Sequence, residues 1–379
     1  MSRHLVLAGG GHAHMMIMRD LKRFIQPGHR VTLVSPDPYH YYSGMGPGLL
    51  GGTYRPQQVR FHVQRMVEDR GGTFVADRVV QIDGAHRQLW LASGRRLSYD
   101  VVSFNTGSNV PLAALHADAG VTPVKPIKHL LRVRDTILNA PKADSLKLLV
   151  VGGGPAGVEL AGNLWRLVEK AGHSAEITLL AGRKLLGAFP DGVRRRVLQS
   201  LQQRGIAVRE GVHATHLADQ KAQLTDGSVV PFDFALVATG VKPSSLFGDS
   251  GLSIGADGGL LVNRNLQSVD FPELFGGGDC ISFQPRPLPK VGVYAVRQNP
   301  ILLANLLAAL ENRTLQPFRP QSAYLLILNL GDGRGVLNRG WLTFASKWVF
   351  TLKDRIDRAF MERFQVSGEL DEIDSDLKR

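Results

Sequence analysis

The stretch LLVVGGGPAGVELAGNLW, Leu148 to Trp165, constrains the fold more than any other part of the chain. Leu148 to Val151 is a short apolar run, the pattern of a strand buried on both faces. Gly152, Gly154 and Gly157 complete a G-x-G-x-x-G that also contains Pro155 and Ala156, and Val158 to Leu167 continues with helical spacing. In such a unit the first glycine allows the tight turn and the second lets the backbone approach a pyrophosphate. The third lets helix and strand pack closely. The pyrophosphate would sit on the helix N-terminus, where free N–H groups and the dipole favour an anion. The spacing therefore predicts a dinucleotide site, against a glycine-rich turn that holds nothing.

A second copy lies upstream. His4 to Ala8 reads as a buried strand, followed by GGGHAH at Gly9 to His14 and a helix through Arg23. Gly9 and Gly11 match the first two fingerprint glycines, with His14 where the third should be. The next strand, Arg30 to Val34, usually ends in an acidic residue for a ribose hydroxyl. Ser35 holds that place here, with Asp37 two residues on. Each copy closes on a strand ending in Thr-Gly, at Thr106-Gly107 and Thr239-Gly240. The repeat implies two dinucleotides.

In the downstream copy the strand Ala175 to Leu180 is followed by Ala181 in place of the acidic residue, then by Arg183 and Lys184. Loss of the carboxylate beside two cations suits a 2′-phosphate, hence NADPH over NADH, with a solvated basic turn as the alternative. PYHYYSGMGPGLLGG, Pro38 to Gly52, is too rich in Gly, Pro and aromatics for a regular element. It reads as a shaped loop that encloses a flat ring or caps a sheet edge. In ELFGGGDC, Glu273 to Cys280, a strand runs into Gly278-Asp279, where the carboxylate could accept bonds from ribityl hydroxyls. A helix from Gly292 to Leu310 begins just after Pro289 and Lys290.

Tyr324 to Phe364 reads as two strands around LGDGRG followed by a helix, and the tail from Ser367 to Arg379 as disordered. Trp341, Ala345, Trp348, Leu352, Ile356, Phe360 and Phe364 recur every three or four residues as an apolar stripe. The stripe could pack on the molecule's own core or on a second subunit in a homodimer. With its basic flanks, it could also meet an anionic bilayer.

Lys and Arg exceed Asp and Glu by 45 to 33, a net charge of +12 that favours anionic partners. No zinc-finger spacing, RNP-like motif or dense basic run supports nucleic acid among them. Cys280 is the sole cysteine, so neither an internal disulfide nor a redox-active C-x-x-C pair is available. The N-terminus enters a strand directly, without the pattern of a signal peptide. No apolar run reaches the ~18–20 residues of a membrane span. The expected location is cytoplasmic, with peripheral contact at the inner face of the membrane left open.

PYHYY, NTGS, GGGPAGVELAG, ATGVKP, FGGGDC and LPKVGVYAVRQ together resemble flavoproteins of the pyridine nucleotide–disulfide oxidoreductase superfamily. Within it the chain is most similar to type II NADH:quinone oxidoreductases and apoptosis-inducing-factor-like reductases, and to a branch sometimes fused to selenophosphate synthetase. The resemblance covers about residues 1–315 and implies an α/β fold. Two Rossmann-like domains would bind FAD and NAD(P)H, with a small C-terminal α+β region.

FAD would occupy residues 1–112 and 243–320, NAD(P)H residues 113–242, and residues 321–379 would carry the helix and tail. Gly9, Gly10, Gly11, His12, Ala13 and His14 would face the FAD pyrophosphate, with Ser35 toward the adenosine. Tyr42, Thr106, Gly107, Gly278, Asp279 and Val291 would line the rest of that site. Lys290 would stabilise the reduced flavin at its N1 and O2 edge. On the NAD(P)H side the resemblance places Gly152, Gly154, Pro155, Ala156, Gly157, Arg183, Lys184, Thr239 and Gly240. Glu159 would lie near flavin and nicotinamide, or serve only to pack the helix start. The implied activity is hydride transfer from NAD(P)H to FAD and onward to a quinone-like acceptor. Reduction of a soluble acceptor, such as a small redox protein or a selenium compound, is the alternative. A flavoprotein that only senses NAD(P)H is a third reading.

Overall fold

A computed structural model describes residues 2–118, 120–141, 145–339 and 342–372. Two parallel five-stranded sheets dominate it. The first runs, edge to edge, Leu274–Gly276, Val101–Phe104, His4–Ala8, Arg30–Ser35, Thr73–Ala76. The second runs Val121–Pro123, Phe234–Val237, Leu146–Val151, Ala175–Leu180, Ala207–Arg209. Both central strands are buried along their length apart from Lys147, as continuous apolar runs in parallel sheets require. The repeat seen in the sequence is thus a repeat of sheets, each with its glycine turn at the C-terminal end of a middle strand.

Several elements differ from the sequence reading. The helix expected through Arg23 breaks into a 3-10 turn at His12–His14 and two short helices, Met15–Arg19 and Lys22–Ile25. The helix of the second copy runs unbroken for 17 residues, Pro155–Ala171, and ends on Gly172 in the left-handed conformation. The last region has three antiparallel strands rather than two: Leu326–Asn329, Gly335–Arg339 and Leu342–Ser346. The alternating Leu-Thr-Phe-Ala run pairs as a strand, and Ser346 then caps the helix Lys347–Phe364 by accepting from Val349 N at 3.3 Å. Ala345 therefore belongs to a strand, and Trp341 lies outside the described residues.

The proposed stripe does not form one face. A row spaced by four advances about 40° per step on a 3.6-residue helix, so by Phe364 it has turned about 160° from Trp348. Trp348 and Ile356 stand in solvent, while Phe364 is buried. Along the helix the buried residues are Val349, Asp357, Met361 and Phe364.

The C-terminal sheet sits on the fingerprint helix at backbone distance. A Cβ on Gly162 would lie 2.1 Å from Leu330 O, and Gly331 adopts φ +81° against Gly162 O. The start of the tail is also held, contrary to the expected disorder. Glu369 is buried and accepts from His62 N at 3.1 Å, and Glu372 pairs with Arg60 at 2.8 Å. The rest of that expectation, residues 373–379, lies outside the described residues.

Candidate cofactor site

A cavity of about 640 Å³ opens where the strands of the first sheet end. Gly9 leaves the middle strand at φ +93°, and a Cβ there would sit 2.4 Å from Asn105 O. A Cβ on Gly11 would meet Asn105 Oδ1 at 2.3 Å. Only glycine lets these two turns approach each other so closely. Asn105 ties the cradle together: its Oδ1 accepts from Ala13 N at 3.0 Å and its Nδ2 donates to Gly277 O at 2.6 Å. Sequence reasoning did not single out Asn105, although it stands directly before the Thr106-Gly107 pair.

His14 replaces the third glycine by becoming part of the frame. Its Nδ1 lies 2.7 Å from Gly9 O and its Nε2 2.8 Å from Ser103 Oγ. Burial holds this imidazole neutral, its pKa lowered to about 4.

Of the expected FAD residues, Gly9, Gly10, Gly11, His12, Ser35, Thr106, Gly107, Gly278, Asp279 and Lys290 line the cavity. Val291 lines a small adjoining pocket with Gly278, Asp279 and Lys290. Ala13 and His14 stand behind the wall. Tyr42 is turned elsewhere: its hydroxyl donates to Asp357 at 3.1 Å and its ring stacks on Phe360 at 4.8 Å.

Ser35 spends its hydroxyl on Asp37 O at 3.1 Å, and the carboxylates that line this end of the cavity are those of Asp37 and Asp77. Lys290 pairs with Asp257 at 2.7 Å and donates to Ile281 O. His12 lines the cavity, and its Nε2 is buried without a hydrogen-bond partner among the described residues. The volume, the glycine cradle and this unsatisfied nitrogen fit FAD.

The second glycine turn is equally tight. Gly152 has φ +136°, with a Cβ placed 2.3 Å from Ala238 O, and a Cβ on Gly157 would lie 1.7 Å from Gly152 O. Gly154, by contrast, faces open space and caps the 17-residue helix, with Pro155 in its first turn. Ala156 is exposed beside it. Gly240 also opens to space at φ +106°, just after Thr239. A full-length helix dipole aimed at an uncovered glycine is what a pyrophosphate requires, so NAD(P)H fits here.

Ala181 is buried next to this turn. Arg183 is exposed, while Lys184 shares its charge with Asp191 at 3.2 Å. Glu210, the nearest acidic alternative for a ribose, is already engaged. It accepts from Leu185 N at 2.6 Å and from Arg194 at 2.6 Å.

Glu159 is absent from the cavity wall. Its carboxylate accepts from Asn329 N at 2.7 Å, where the C-terminal sheet meets the fingerprint helix. Burial pushes its pKa up to about 7, against the pull of nearby Lys353. Lys353 lies 2.6 Å from Asp357 and donates to Gly44 O at 2.7 Å. Glu159, Lys353, Asp357 and Tyr42 thus join the C-terminal helix to the loop that borders the cavity. Sequence reasoning counted Lys353 only among the basic flanks of the stripe and gave Asp357 no role in a site. Their i,i+4 spacing was the available signal.

Because the folded-state pKa of Glu159 lies above its unfolded value, its contribution to stability is complete below about 4.5 and is lost as pH rises through about 7. Unfolding titrations of wild type and Glu159→Gln between pH 5 and 8 should therefore converge at low pH, with wild type falling behind as pH rises. Parallel curves would show that Glu159 titrates normally.

Comparison with known proteins bears on the whole architecture. The description "Pyridine nucleotide-disulphide oxidoreductase" matches residues 3–298. Ferroptosis suppressor protein 1 of Taeniopygia guttata is 26% identical over 359 residues, 89% of this chain and 89% of that protein. The internal alternative NAD(P)H-ubiquinone oxidoreductase A1 of Solanum tuberosum mitochondria is 28% identical over 199 residues, 49% of this chain and 39% of its own. The structure of NDH2 from Plasmodium falciparum in complex with NADH superposes with a TM-score of 0.81 at 13% identity, covering 97% of this chain and 98% of that one. With two glycine-turn sheets in place and most of its length matched, the chain belongs to the pyridine nucleotide-disulphide oxidoreductase family.

Proposed function

We propose that the protein is an FAD-dependent NAD(P)H oxidoreductase that passes electrons to a quinone-like acceptor. The observation that carries this reading is the pair of glycine cradles: one opens into the 640 Å³ cavity, the other at the head of a 17-residue helix. In this reading residues 1–112 and 243–320 hold FAD, and residues 113–242 hold NAD(P)H. Bound in the cavity, FAD supplies a two-electron relay between nicotinamide and acceptor.

The chain's own part is alignment and charge. Asp279 would hold the ribityl chain, and Lys290, steadied by Asp257, would stabilise charge at the pyrimidine edge. A disulfide acceptor within the chain has no support: Cys280 is alone and buried, its thiol pushed up by burial. Hydride brings two electrons and one proton, so a quinone needs a second proton to become a quinol. Glu159, half protonated near neutrality, can hold and release it on the side of the C-terminal helix.

That helix also suggests where the acceptor comes from. Phe344, Trp348 and Ile356 are 45%, 55% and 47% exposed, with Lys347 and Arg355 exposed among them. Aromatic and aliphatic side chains ringed by cations suit the interface of an anionic bilayer, where quinones dissolve. No helix among the described residues is long and apolar enough to cross a membrane. The relative in potato, named for ubiquinone, supports the same acceptor class.

The purified protein should be yellow with one FAD per chain, and should oxidise NAD(P)H in the presence of a short-chain quinone. Protein that stays colourless after refolding with FAD, or a flavoprotein without quinone-dependent turnover, would overturn the reading.

A further inference from the structure

One part of the cavity wall comes from the opposite sheet. Lys125, Pro126, Ile127 and Lys128 lie between the strand Val121–Pro123, which pairs in the second sheet, and the helix His129–Leu138. Two lysines of this segment reach carboxylates on loops of the first sheet. Lys125 Nζ lies 2.6 Å from Asp279 Oδ2 and 3.0 Å from Ser108 Oγ. Lys128 Nζ lies 2.5 Å from Asp37 Oδ2, while the other oxygen of Asp37 accepts from Tyr39 N at 3.0 Å.

The sheet order gives these contacts their meaning. Asp279 follows the edge strand Leu274–Gly276, and Asp37 follows Arg30–Ser35. Between them lie the two strands that end in the Gly9–Gly11 and Asn105–Ser108 turns. With neighbouring strands roughly 4.8 Å apart, the strand ends that lead into the two anchor loops stand about 14 Å from each other across the glycine cradle. A dinucleotide stretched along the strand ends would pass beneath both.

We propose that Lys125 and Lys128 are the two points of a latch that retains FAD. The cofactor leaves only when segment 125–128 lifts from Asp279 and Asp37, so its retention depends on the docking of one sheet unit on the other. The proposal rests on the assignment of FAD to this cavity. Both pairs are partly exposed, with side-chain exposures of 25% and 14% for Lys125 and Asp279, and 40% and 26% for Lys128 and Asp37. Each alone is therefore a weak restraint that salt screens, and the two together act as a gate.

The test follows the rise of flavin fluorescence after FAD-loaded, full-length protein is diluted into excess buffer. Release from K128M should be about threefold faster than from wild type, and from K125M/K128M about tenfold faster. Added salt should speed release from wild type but hardly change the double variant. D37N/K128M should release no faster than K128M, since both substitutions open the same pair. K125R/K128R should restore slow release, and circular dichroism checks that each variant is folded. Wild-type rates in K125M/K128M, or additive effects of D37N and K128M, would overturn the latch while leaving the cofactor assignment intact. A wild-type protein that takes up no FAD would overturn both.

Discussion

The protein is expected to prefer NADPH over NADH, and Ala181→Glu is expected to reverse that order. Ala181 directly follows the second strand of its sheet unit, where a carboxylate would meet the adenosine ribose, and it is buried against the glycine turn. In the wild type Glu210, an acidic group beside this turn, is committed to Leu185 N and Arg194. Arg183 stands exposed two residues away, and Lys184 is held only by an exposed pair with Asp191. A 2′-phosphate would gain a charge-assisted contact from Arg183, worth ~1.5–3 kcal/mol or about 10- to 100-fold. Glutamate at 181 would repel the phosphate and bond the ribose hydroxyls, so the ratio of kcat/KM for NADPH over NADH should fall by about 10²-fold or more. Arg183→Ala should lower NADPH efficiency alone. A wild type that already prefers NADH, or an A181E protein with an unchanged ratio, would show that these cations belong to a solvated turn.

The second sheet unit was legible in the sequence because its fingerprint is complete and two of its three glycines are forced by the backbone. Gly152 and Gly157 sit where any Cβ would strike a carbonyl, so the pattern and the geometry carry the same information. The first unit was only partly legible. His14 looks like a defect in the fingerprint, yet its two ring nitrogens rebuild the turn through Gly9 O and Ser103, and that pairing of distant residues leaves no local pattern. Tyr42 was taken for a cofactor neighbour, and Glu159 for either a cofactor neighbour or a packing residue, because they flank the motifs. Their partners, Asp357 and Asn329, come from a region 170 residues or more away in sequence. The start of the tail was misread for a related reason. An acid-rich segment looks solvated until Arg60, Arg65 and His62, on a different strand and helix, are seen to receive it. Composition reports what a segment can do alone, and here its fate was set by what it docks against.

Lys353→Met should be the most damaging single substitution in the C-terminal region. The side chains of Lys353 and Asp357 are only 12% and 7% exposed and meet at 2.6 Å. Burial alone would lower the lysine's pKa, but Asp357 and Glu159 outweigh it, so the ammonium stays charged. Removing it strands the Asp357 carboxylate, which then has only Tyr42 as a hydrogen-bond partner and must either take up a proton or drag water inside. Breaking one side of such a pair typically costs ~3–5 kcal/mol, whereas replacing both partners with apolar groups of similar volume is often neutral. K353M should thus lower the denaturant midpoint sharply, and K353M/D357L should recover most of the loss. The two proteins should differ in function as well. The double variant keeps the helix packed but leaves Glu159 without its cation, so it should bind FAD and NAD(P)H normally while quinone reduction slows and its pH profile shifts upward. Equal destabilisation in both variants would show that the pair contributes by packing alone. A fully active, stable K353M would place the proton supply and the anchoring of this helix elsewhere.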